Sequence, residues 1–212
     1  MWNERIRTIL KETGASSVHL IAHSMGGLDA RHLITHLGGH AYVRSLTTVS
    51  TPHRGSGIAQ IVEDQPERLR ELLAGAVDWF AATAMMGTTS DIARATHELT
   101  PRYLEETFNP STPDHPDVRY ASYAGRAGKG TRVGINPLLT IQNRLIYANE
   151  GQNDGLVSVN SAKWGYFCGT IDADHAEQVG LRRGLTGEFD ALHFYRTITR
   201  DLAAQDALLA GG

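Results

Sequence analysis

The sequence predicts an α/β fold, a mostly parallel sheet flanked by helices. Three observations predict it. Helix, strand, helix and strand follow one another within the first 50 residues, the spacing of right-handed crossovers. The first strand, Val18-His19-Leu20-Ile21-Ala22, is mostly apolar, as a parallel strand covered on both faces requires. It passes into the next helix through Ala22-His23-Ser24-Met25-Gly26, a small-x-Ser-x-small turn. The 212 residues are 41% hydrophobic and 20% charged, which permits a sizeable core and excludes wholesale disorder. A net charge of −3 leaves no basic excess for phosphates, which disfavours a primary nucleic-acid role. The one cysteine, Cys168, rules out an internal disulfide and a multi-cysteine zinc site. No apolar run approaches the roughly 20 residues that span a bilayer. Residues 1–25 lack the apolar centre of a secretory signal, because Glu4, Arg5, Arg7, Lys11 and Glu12 interrupt them.

The elements follow in order. Trp2, Ile6, Ile9 and Leu10 make one apolar helical face, and Gly14 is a natural stop. After the strand and the serine turn, Leu28 to Leu37 reads as helix, ended by Gly38-Gly39. Val43 to Ser50, rich in Val and Thr, is the next strand. Residues 58–108 form a mostly helical excursion. Leu69, Leu72, Leu73, Ala76, Val77, Phe80 and Ala84 share one side of a helix there, and Thr100-Pro101 is an N-cap with proline at the first helical position. Pro110, Pro113 and Pro116 mark a loop. Strands are expected again at Val118–Ala124, Arg144–Ala148 and Trp164–Ile171. A final helix, Phe189 to Leu209, is expected to bury Phe189, Leu192, Tyr195, Ile198 and Leu202.

The serine turn carries the chemistry. It is so tight that the serine takes strained backbone geometry, and its small neighbours let strand and helix approach. Ser24 is thereby lifted above the sheet end. The Met25 N–H falls at a helix N-terminus, where partial positive charge suits an oxyanion. A serine hydroxyl is a poor nucleophile near neutrality and needs an imidazole, itself oriented by a carboxylate. In proteins built on this turn the chain order is Ser, acid, His. Only His175 and His193 lie in the last 60 residues. His193 falls inside the terminal helix, whereas His175 sits in a polar loop after the last strand and is the expected base. Asp154, in Gly151-Gln152-Asn153-Asp154-Gly155, is the expected acid. Asp172 and Asp174 are its rivals, but stand too close to His175 in sequence for easy pairing.

Ala-His-Ser-Met-Gly-Gly at 22–27, Thr-Pro-His-Arg-Gly-Ser at 51–56 and Gly-Gln-Asn-Asp-Gly-Leu-Val at 151–157 resemble bacterial triacylglycerol lipases of the Pseudomonas and Burkholderia type. His175-Ala176-Glu177-Gln178 resembles their histidine segment more loosely. The resemblance implies an α/β-hydrolase fold with Ser24 as nucleophile, Asp154 as acid and His175 as base. It also implies a single domain over 1–212 in which the excursion at about 58–108 is a lid. Members carry strands ahead of the elbow and a His-Gly loop with a second oxyanion donor. The chain therefore reads as N-terminally truncated, with Val18–Ala22 at an open sheet edge. Its compartment is left open, since the resemblance allows secretion. The family holds a structural calcium near the histidine through two aspartates. Glu177 stands where one of them is expected, and no second is placed, so no cofactor is expected and a structural calcium is left open without being predicted.

The remaining signals are set aside. His32 and His36 have zinc spacing but no third ligand, and read as a solvated helix face. His53 reads as a residue fixing its rim loop by a hydrogen bond. Gly125–Gly130 reads as a flexible hairpin loop, and Cys168 as a small buried hydrophobe. The expected function is a carboxylic-ester hydrolase of lipids or acylglycerols, in transient contact with a lipid interface. The alternatives are an inactive truncated remnant, or an acyltransferase or thioesterase on the same three residues.

Overall fold

The structure, a computed structural model, describes residues 2–64, 89–181 and 189–210. Four strands, β1 (Val18–His23), β2 (Val43–Val49), β3 (Arg119–Gly125) and β4 (Tyr166–Ile171), lie side by side in chain order. All three pairings are parallel. The register pairs His23 with Val49 and Val49 with Tyr123. The residues just past the strands therefore form one row along the C-terminal rim, the usual place for a site in an open α/β sheet.

Helices α1 (Trp2–Thr13), α2 (Gly26–His36), α3 (Gly57–Asp64), α4 (Thr89–Glu98), α5 (Thr140–Glu150) and α6 (Ala191–Ala210) connect or cover the strands. α2 ends where Gly38 turns left-handed at φ 71°. Its Ala30, Leu33 and Ile34 pack with Tyr42, Val43, Leu46 and Val118, and Leu20 and Ala22 of β1 join them. α1 adds only Ile6 and Leu10 to that core, while Trp2 and Ile9 are exposed. A second core joins Ile58 and Val62 of α3, Ile146 of α5, Ala124 of β3 and Leu156–Val157. The opposite sheet face meets α6 through His19–Asp206 (2.9 Å), Arg119–Gln205 (3.0 Å) and the edge-on rings of Tyr123 and Phe194. Ile198 and Leu202 are buried as the terminal-helix pattern requires, but Leu192 is exposed.

Three expectations are corrected. Arg144–Ala148 is not a strand but the middle of α5, which buries Gln142, Asn143 and Ile146 on one side. A short apolar run does not separate the two periods; its helix-compatible flanks extend it to 11 residues. Gly125–Gly130 is not a hairpin, because the chain crosses through α5 to the parallel strand β4. Its turn is pinned by Gly128 N–H on Val133 O and Lys129 N–H on Asn143 Oδ1. Cys168 is exposed, since burial alternates along β4 and Cys168 falls on the outward set with Tyr166 and Thr170. The excursion is helical where described, at α3, α4 and Pro101–Tyr103, and the Thr100 side chain accepts from Tyr103 N–H as an N-cap should. The apolar stripe at 69–84 lies outside the described residues. No described helix is long and apolar enough to cross a membrane.

Candidate active site

β1 ends at His23, and the chain turns at once into α2. Ser24 takes the strain of that turn at φ 54°, a left-handed conformation rare for a residue with a side chain. Three contacts hold it there. Its N–H donates to Val49 O at 2.9 Å, its C=O accepts from Gly27 N–H at 3.1 Å, and the same oxygen accepts from Thr51 Oγ1 at 2.7 Å. The crowding falls on Gly27 rather than Gly26. A Cβ at Gly27 would come within 2.2 Å of Thr51 Oγ1, whereas one at Gly26 meets nothing within 4 Å. Met25 caps α2, and its N–H lies in the first turn, where no intrahelical acceptor exists.

From Ser24 a continuous hydrogen-bonded line crosses the rim. Ser24 Oγ is 2.9 Å from His175 Nε2, and His175 Nδ1 is 2.7 Å from Asp154 Oδ2. All three side chains are buried, His175 and Asp154 completely. His175 rides on the loop after β4, and its N–H donates to Asp154 O at 3.0 Å, so backbone as well as side chain ties the two loops. Asp154 follows α5, and its Oδ1 accepts from Leu156 N–H (3.0 Å) and Val157 N–H (2.8 Å). Burial alone would raise its carboxyl. The neighbouring imidazole and these backbone donors outweigh burial and hold the group below its ordinary value. The expected site residues Ser24, His175 and Asp154 are thus brought together, with Met25 beside them. The predicted strand before Asp154 is a helix, yet the loop after it reaches the same rim.

Several residues at this rim escaped the sequence reading. Gln178 donates from Nε2 to Asp154 Oδ2 at 2.9 Å. Ser50, at φ 47°, accepts from Gly125 N–H at 2.8 Å. The His23 ring packs on His175 with centroids 4.5 Å apart. Burial, then the charge of His175, lowers the His23 pKa to about 3, so this ring stays neutral at ordinary pH. Only the position of Gln178, three residues past the histidine, offered a sequence signal.

The rivals take other partners. Asp172 pairs with Arg126 at 2.7 Å on the surface. Asp174 is buried, but its Oδ1 accepts from Ala176 and Glu177 N–H and its Oδ2 from Asn136 N–H. Those bonds also bear on calcium. Calcium takes six to eight oxygen ligands, from carboxylates, carbonyls and waters. Here the acid beside His175 spends its oxygens on backbone donors, and Glu177 Oε2 faces Asp174 N–H at 3.4 Å. Among the described residues no cluster of three His, Cys, Asp or Glu could hold a metal. Asp174 and Glu177 are thus both engaged with backbone N–H groups of the His175 loop and its neighbour Asn136. His32 and His36 are both exposed on α2, His193 is exposed on α6, and neither location touches the rim line. His53 is fully buried, with Nε2 3.1 Å from Thr48 Oγ1 and its ring stacked on Trp164. Burial, then Arg31 and Arg54, holds its pKa well below the usual imidazole range.

Comparison with known proteins finds relatives in sequence and in fold. The PGAP1-like alpha/beta domain family matches residues 1–71, which include β1, the Ser24 turn and β2. Triacylglycerol lipase 2 of Saccharomyces cerevisiae is 34% identical over 94% of this chain and 61% of its own length. Triacylglycerol lipase of Burkholderia plantarii is 44% identical over 28% of this chain and 16% of its own. The chain therefore spans less than two thirds of the curated relatives it matches. Among solved structures, Staphylococcus hyicus lipase superposes with a TM-score of 0.66 at 19% identity, covering 92% of this chain and 71% of that one. The mature Bacillus licheniformis lipase BlEst2 gives 0.58 at 24% identity, covering 81% and 63%. The chain thus has the α/β-hydrolase fold of these solved structures and is similar in sequence to triacylglycerol lipases over part of their length.

Proposed function

We propose that the chain is a carboxylic-ester hydrolase of lipid esters, with Ser24, His175 and Asp154 as its catalytic residues. The observation that carries this reading is the unbroken line from Ser24 Oγ through both nitrogens of His175 to Asp154. His175 Nε2 takes the proton as Ser24 Oγ attacks the ester carbonyl carbon. The resulting oxyanion accepts from Met25 N–H, a donor fixed in place before the reaction begins. The intermediate then expels the alcohol, which leaves with the proton held on His175, and an acyl-serine remains. Water attacks that ester with His175 again as base, and the carboxylic acid departs from regenerated Ser24. Asp154 stabilises the transient imidazolium without itself taking the proton.

The substrate class rests on the lipase relatives, and the helical excursion is read as a lid. Ser56, at its root, donates to Leu156 O at 2.7 Å, so the lid would be anchored on the loop that carries Asp154. The test is hydrolysis of p-nitrophenyl esters of graded acyl length, together with labelling by a fluorophosphonate probe. The 212-residue chain is expected to turn over esters and to label once, and Ser24→Ala to do neither. Ser24-independent turnover overturns the role given to Ser24. Absence of turnover by the folded chain favours the inactive remnant. Product formed on added alcohols or thioesters assigns acyl transfer or thioester cleavage instead.

A further inference from the structure

We infer that Gln178 is a positioning residue that governs the proton equilibrium of His175 through Asp154, an assignment that rests on the proposed triad. The Asp154 carboxylate accepts four hydrogen bonds, two on each oxygen. Oδ1 takes the N–H groups of Leu156 and Val157. Oδ2 takes His175 Nδ1 at 2.7 Å and Gln178 Nε2 at 2.9 Å. Gln178 therefore shares with the imidazole the very oxygen through which Asp154 acts on it. A primary amide donates and carries no charge, so it draws electron density from Oδ2 without adding a titrating group.

The fold makes room for this amide. Gly125 ends β3 directly beside it, and a Cβ there would come within 2.0 Å of Gln178 Nε2 and 2.9 Å of Asp154 Cβ. Gln178 is fully buried in the short turn Glu177–Val179, which follows His175, and its N–H bonds Asp174 O. One loop thus carries both the imidazole and the group that tempers its partner. Among the described residues, the other titratable groups shown near His175 are His23, packed on its ring, and Asp174 and Glu177 on its own loop. His23 is neutral at ordinary pH, and the Asp174 oxygens are committed to backbone N–H groups. Gln178 is the neutral side-chain donor shown on Asp154, and its loss leaves Oδ2 more strongly negative.

The sign follows. A more negative Oδ2 stabilises the imidazolium, so the ring gives up its proton at higher pH. Gln178→Met keeps the length and removes the donor. It is expected to move the acid limb of the kcat/KM profile upward by about half to one pH unit and to lower kcat about tenfold, with KM within about twofold. The His175 ring resonances in NMR are expected to titrate at correspondingly higher pH, a readout that needs no turnover. The near-isosteric Gln178→Glu puts a second buried carboxyl at hydrogen-bond distance from Asp154; the pair holds one proton, which still donates to Oδ2, so the ring titration should stay near that of the wild type. A folded Gln178→Met variant with lowered thermal stability but an unmoved ring titration and acid limb overturns the inference. A wild-type chain with no Ser24-dependent turnover sinks the triad reading instead, while the ring titration still tests the coupling of Gln178 to His175.

Discussion

Ser24 and Ser50 make an instructive pair. They follow the ends of adjacent strands, whose last residues His23 and Val49 are paired in register. Both are buried, and both adopt left-handed backbone, at φ 54° and 47°. Their hydroxyls differ in partner. Ser24 Oγ meets an imidazole nitrogen at 2.9 Å, whereas Ser50 Oγ accepts from the Gly125 backbone at 2.8 Å. Equal strain therefore accompanies two jobs. Backbone strain identifies a place where the fold overrules local preference; only the partner says whether chemistry follows.

The two serines should separate cleanly on mutation. Ser24→Ala is expected to lower ester turnover by roughly 10⁴-fold or more, read by initial rates, with a smaller effect on melting than the Ser50 variant. Ser50→Ala should do the reverse. It orphans the buried Gly125 N–H, at a cost of about 1–3 kcal/mol measured by denaturant unfolding, while turnover per folded molecule stays within about tenfold. A Ser50 variant that loses activity as steeply as the Ser24 variant would break the comparison.

Acid should act through the buried rings around these serines. Folded His23 gains its proton near pH 3 and the unfolded ring near 6.5. Between those values the unfolded chain binds more protons, so stability falls as pH is lowered, by at most about 5 kcal/mol. His53 acts in the same direction. Asp154 adds a lower limb, since its depressed folded value gives stability above 3.8 that disappears as pH falls through it. His23→Phe should flatten the loss of melting temperature between pH 6.5 and 4. The smallest effect expected is that of EDTA, which should leave melting and turnover unchanged, because Asp174 is already satisfied by N–H donors. A chelator-induced drop in melting temperature would show that the His175 loop holds an ion after all.

The strand–Ser–helix turn was legible because its constraints are local. A serine between a strand and a helix, followed by glycines, leaves a mark within a few residues, although the glycine the packing requires is Gly27, one place beyond the five-residue pattern. The first two strands were legible for the same reason, β1 from a short apolar run and β2 from its Val and Thr content. Arg144–Ala148 was misread because five residues do not distinguish a helix face from a strand. The deciding contact, Ile146 in the core with Ile58 and Val62, comes from α3, far away in sequence.

Sequence order and residue type alone determined the class of fold and the three residues worth watching. Tertiary structure decided how those residues are held. Gln178 on Asp154, Thr51 on Ser24, Ser50 on Gly125 and the glycines that clear space for them join segments 24 to 75 residues apart. Such contacts leave no periodic trace in the chain. They follow from which strand ends the parallel register sets side by side, and from the need of each buried polar atom on that rim to find a partner.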